Sequence, residues 1–168
     1  MERSVRECCL GRGPDSVCGR ASADRRARVV PFSVARLLAF DWHTHLAHDI
    51  APAIGRPARA LDDLAMSVTL EWMLAVLAQH GGTQRTWMDR SVTLRLTGPG
   101  GGVWTLAPRA HGRLNVTAGS GHAAATITGS AADLPSWATT RTAWNDHDLT
   151  ISGDRDYATR FLDGVNII

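Results

Sequence analysis

The sequence predicts an α+β protein in which two helices precede an antiparallel sheet carrying helices on one face. Three observations support this. Between Ser33 and Gln79 apolar residues recur at helical spacing; from Ser91 the period changes, and "SVTLRLTG" alternates with Val92, Leu94 and Leu96 on one side; and the last stretch, "DRDYATRFLDGV", returns to a helical pattern behind a capping aspartate, Asp154.

The first helix is expected from about Ser33 to Ile54, where "APAIG" ends on a glycine suited to a C-terminal cap. "GRPARA" forms a turn, and a second helix runs from about Leu61 to Gln79, capped near Asp62 or Asp63 and closed near Gly81. Leu61, Leu64, Val68, Trp72, Ala75 and Val76 make one apolar face of that helix, and Leu70, Met73, Leu74 and Leu77 make another. A helix apolar on both sides is sandwiched between other layers.

"SVTLRLTG", "GVWTLAP", "GRLNVTAG" and "AAATITGS" then read as strands about ten residues apart, separated by glycine-rich turns. "AADLPSWATTR" suggests a short helix and "DLTISGD" a further strand. Trp104 and Trp137 are expected to be mostly buried in this half.

The chain has 168 residues, 44% of them hydrophobic, enough for one domain or two small ones. A net charge of +2 excludes a strongly basic nucleic-acid surface. All 18 basic residues are arginine, a bias that fits a GC-rich coding sequence. No apolar run is long enough to span a membrane, and the N-terminal stretch lacks a signal peptide's continuous apolar core, so a cytoplasmic protein is expected. Residues 1–32 are rich in Arg, Gly and Ser without a hydrophobic period and are expected to be a disordered tail. Its three cysteines, Cys8, Cys9 and Cys18, lack the histidine or second CxxC pair of a zinc set. "TGPGGG" is no phosphate loop, because no G-K-S/T follows and the chain contains no lysine. No G-x-S-x-G elbow supports a serine hydrolase.

The chemistry-rich stretch is "FDWHTHLAHDI". At roughly 100° per residue, Asp41, His45 and His48 share one arc of an α-helix, with Asp49 at its edge and His43 pointing away. A carboxylate and an imidazole one turn apart can hold a divalent ion, with a further ligand from elsewhere. They can equally pair with each other along a polar seam.

"DWHTHLAHDIAPAIGRPA", "VTLRLTGPGGGVWTL", "ADLPSWATTRTAW" and "LTISGDRDYATRFLDGVNII", in that order, resemble the mycothiol-dependent maleylpyruvate isomerase family. The resemblance implies a DinB-like helical bundle over residues 33–82 and a sterol-carrier-like C-terminal domain over 91–168. It also implies a divalent metal, usually zinc, held by an acid-x3-His pair whose best match is Asp41 and His45, with His48 or Asp49 in support. The metal would lower the pKa of the mycothiol thiolate, which adds to the substrate for isomerisation or thiol transfer. Arg141 would grip the carboxylate of a small-molecule substrate, although a surface ion pair is the commoner fate of such a residue. The early bundle helices have no counterpart here, so activity is expected to be impaired unless a partner chain completes the bundle. The alternative expectation is a non-catalytic binding or interaction module built on the C-terminal domain.

Overall fold

A computed structural model describes residues 34–80 and 85–168. The expected tail, with its three cysteines, and the expected cap at Gly81 lie outside the described residues.

Helix α1 (Val34–Thr44) continues without a break into a π-helical stretch, His45–Ile50, and a last α-helical turn, α2 (Ala51–Ala53). The π register is visible in the Ala51 amide, which donates to the carbonyl of Leu46, five residues back. Helix α3 (Asp63–Gln79) starts where expected: the Asp62 side chain accepts from the Ala65 amide at 2.9 Å. α1 lies on α3 with Phe40 and Thr44 buried, and the Phe40 and Trp72 rings stack with centroids 4.2 Å apart. Such a stack adds about 1 kcal/mol beyond the area it buries.

Strands β1 (Val92–Thr97), β2 (Gly102–Pro108), β3 (Leu114–Ala118), β4 (Ala125–Ser130) and β5 (Thr150–Gly153) form one sheet in the order β3-β2-β1-β4-β5. Val92, Leu94 and Leu96 share the buried face, flanked by Leu106 on β2 and Ile127 on β4. The expected all-antiparallel sheet is corrected at one place, because β1 and β4 run parallel. Residues 119–124 carry the chain from β3 across β2 and β1 to the far side of β1. The Thr105 hydroxyl donates to the Gly119 carbonyl at 2.8 Å along that crossing. Alternation reports which face of a strand is buried and is blind to the direction of its neighbour.

Helix α4 (Leu134–Ala138) and helix α5 (Arg155–Asp163) complete the fold. α5 begins at the expected cap, with Asp154 accepting from the Tyr157 amide at 3.1 Å. Trp137 is buried, whereas Trp104 is half-buried against the core. Residues of α1, α3, the sheet, α4 and α5 join in one hydrophobic cluster. The helices expected as the remnant of a separate bundle thus share their core with the sheet.

Candidate functional site

The π-helical stretch decides what the histidine-rich segment can do. An i→i+5 helix turns less per residue than an α-helix, so residues five apart come into line. His43, expected to point away from the cluster, therefore meets His48 edge to face, with ring centroids 5.8 Å apart. His48 turns inward and leaves the Asp41–His45 side, and its Nε2 is buried without a hydrogen-bond partner among the described residues.

Asp41, His45 and Asp49 remain together on the outer side. His45 Nδ1 lies 2.6 Å from Asp49 Oδ2, and its Nε2 lies 3.5 Å from Asp41 Oδ1. Arg141, which follows α4, closes a fork on the same carboxylate: Nε and Nη2 donate to Asp49 Oδ1 and Oδ2, both at 2.8 Å. Its third donor, Nη1, reaches Thr139 Oγ1 at 2.8 Å. The guanidinium holds the Asp49 carboxyl well below the usual carboxylate range. Arg141 thus pins the π-helical stretch to the C-terminal half of the chain.

The zinc expectation is corrected by this geometry. Both Asp49 oxygens are committed to Arg141, His45 is engaged by two carboxylates, and His48 points elsewhere. Among the described residues no group of three or more His, Cys, Asp or Glu side chains converges to hold a metal ion.

Burial first, and then the neighbouring His48, lowers the pKa of His43. For His48 burial again leads, followed by Arg141; Asp49 and Asp133 push the other way and His147 adds to the lowering. Both imidazoles bind protons less readily in the folded chain than in the unfolded one. As pH falls through about 6.5 the unfolded chain takes up more protons, so stability drops. Asp49 gives stability of the opposite origin, present at neutral pH and fading only in acid below about pH 4. Thermal melts should show Tm decreasing from about pH 8 to about pH 5. A His43→Gln/His48→Gln double variant should show a flatter profile, and an unchanged slope would refute the assignment.

Beside Arg141 a hydroxyl–imidazole row went unrecognised in the sequence. Ser136 Oγ lies 2.8 Å from Thr142 Oγ1, which lies 2.7 Å from His147 Nε2, and His147 Nδ1 is 3.6 Å from Asp133. Ser136 lies in the five-residue α4 and the others in the turns around it, segments too short for periodicity to mark them. Next to this row opens a groove of about 360 Å³, lined by the apolar Trp137, Trp144, Leu162 and Val165 and by the polar Thr140, Arg141 and Asp163. The Trp144 indole is fixed by donating to Asp163 Oδ1 at 2.9 Å.

Residues 63–163 match the SCP-2 sterol transfer family. The chain belongs to this family. Membership takes in α3 together with the sheet, α4 and α5, and it corrects the isomerase reading: the SCP-2 fold points to lipid binding, with no support for mycothiol chemistry or a DinB-like bundle. No curated protein matches the sequence. Among solved structures, one described as "UbiJ-SCP2 Ubiquinone synthesis protein" aligns with 16% identity and a TM-score of 0.43, covering 61% of this chain and 93% of its own. No helix among the described residues is long and apolar enough to cross a membrane.

Proposed function

We propose that this SCP-2 family chain is a non-catalytic carrier that binds an apolar small molecule, a fatty-acyl chain or a sterol. The observation that carries the reading is the groove beside α4 and α5, where Trp137, Trp144, Leu162 and Val165 lie alongside Thr140, Asp163 and the Arg141 guanidinium. Its volume of about 360 Å³ lies at the small end of the roughly 300–1,000 Å³ typical of ligand sites. The walls supply burial for a tail or ring system, and Arg141 supplies a fork for a carboxylate head. Asp49 holds that fork in the ligand-free chain, so a carboxylate ligand competes with Asp49 for it.

Titration with a fluorescent fatty acid and with a fluorescent sterol tests this. Saturable binding of at least one is expected. Arg141→Gln should weaken a fatty acid about tenfold, the loss of one charge-assisted contact, and leave an uncharged sterol unaffected. Ala143 lines the groove and is exposed, so Ala143→Trp should fill the space and weaken both. Binding of neither probe, or binding indifferent to Ala143→Trp, would remove the groove as the site.

A further inference from the structure

The outer side of the first helical rod carries a row of large apolar side chains that the other described residues leave exposed. Val34, Leu38, Trp42, Leu46, Ile50 and Ile54 are each between 46% and 72% exposed. They stand four residues apart throughout. In an uninterrupted α-helix such a row drifts by about 40° per step and would end roughly 200° from its start, on the side facing α3. The π-helical stretch takes back part of that drift, because each of its residues turns less. The inner side of α1 keeps Phe40 and Thr44 buried where α1 packs on α3, and Ala47 is buried in the π-helical stretch. The π register therefore holds one apolar face outward along the whole rod.

We propose that this face docks a second copy of the same chain, with the two rods antiparallel about a two-fold axis level with Thr44. The row is close to a palindrome: β-branched Val34 and Ile54 at the ends, Leu38 and Ile50 inside them, Trp42 and Leu46 at the centre. A two-fold interface requires that if one residue meets another, the reverse contact also forms. Antiparallel pairing satisfies this and sets each large Trp42 against Leu46 of the second copy. The area suffices: the six side chains expose on the order of 600 Å², and with their flanks they approach the roughly 800 Å² per partner of a standard stable interface. Few monomers leave so large an apolar patch open.

The flanking charges disfavour a lipid surface as the occupant. Helices that lie on membranes border their apolar face with Lys or Arg. Here the rod has no lysine, its one arginine, Arg36, is paired with Glu71 at 3.0 Å, and Asp41 stands at the border.

Sedimentation of the full chain from about 1 to 100 µM tests the proposal. The wild type should be a dimer at the upper end. Trp42→Glu and Leu46→Arg should each weaken association by on the order of 100-fold, as expected for a charge placed at an interface centre. Both side chains are already exposed in the single chain, so circular dichroism and Tm under monomeric conditions should match the wild type. Mixing the two variants should restore association, because antiparallel pairing sets the carboxylate introduced in one against the guanidinium introduced in the other. A wild type that stays monomeric at every concentration overturns the proposal, as does a dimer indifferent to both substitutions. Trp42-dependent flotation of a monomer with anionic or neutral vesicles would assign the face to lipid and overturn it equally.

Discussion

Gly100→Ala is expected to destabilise the protein by about 3 kcal/mol, the sum of a left-handed backbone penalty and overpacking against an immovable neighbour. Gly100 has φ +67°, and a Cβ there would sit 2.6 Å from the Ser67 amide nitrogen and 2.8 Å from the Met66 carbonyl carbon. Those atoms are the backbone of α3, which is held in place by its buried residues Met66, Thr69 and Leu70. The β1–β2 turn would have to lift away and give up the bond from the Gly100 amide to Asp63 Oδ1 at 3.0 Å. Gly98 gives the control, since it has φ +87° in the same turn but nothing within 4 Å of its Cβ position. Gly98→Ala should therefore cost only the backbone penalty, about 1 kcal/mol. Urea unfolding of both variants measures the difference, and equal losses would show that contact with α3 is not what demands a glycine at 100.

Tyr157→Phe should cost about 2 kcal/mol although it removes a single oxygen. The Tyr157 hydroxyl accepts from the amides of Asp89 and Arg90, at 3.1 and 2.9 Å, and donates to the Arg90 carbonyl at 2.7 Å. It thereby ties the segment entering β1 to α5. The ring is held as well: Trp87 meets it edge to face at 4.8 Å, and the Arg90 guanidinium lies 4.4 Å from its centroid. Phenylalanine keeps these ring contacts and leaves three backbone groups without their partner. Amide exchange should quicken selectively at residues 89 and 90, and unfolding free energy should fall. A loss below about 0.5 kcal/mol would mean that water replaces the hydroxyl at little cost.

These two positions show where local sequence signals stop. "TGPGGG" reads correctly as the turn between two strands, yet nothing within it says that Gly100 must touch α3 or that Asp63 awaits its amide. Tyr157 sits on the buried side of an amphipathic helix, and its hydroxyl partners lie 67 and 68 residues away. The candidate site divides in the same way. Asp41 and His45 come together because four residues make one helical turn, whereas His48 leaves them because the helix loosens to a π register. Arg141 was legible as a carboxylate-binding side chain, but Asp49, 92 residues distant, is the carboxylate that occupies it.

What the sequence determined by itself was set by short-range chemistry. The caps at Asp62 and Asp154 follow from side chains reaching amides three residues on. Alternation imposed by one buried face marks β4 throughout and β1 in part, short apolar stretches between glycine-rich turns mark the other strands, and the sandwiched state of α3 follows from apolar residues around its circumference. Tertiary structure alone decided what α3 is sandwiched between, that β4 runs parallel to β1, and that the rod's outer apolar row stays on one side. Each depends on contacts between segments far apart in the chain or on a helical register that competing packing selects. Periodicity records how much of a residue's surroundings is apolar; it carries no record of which segment supplies them.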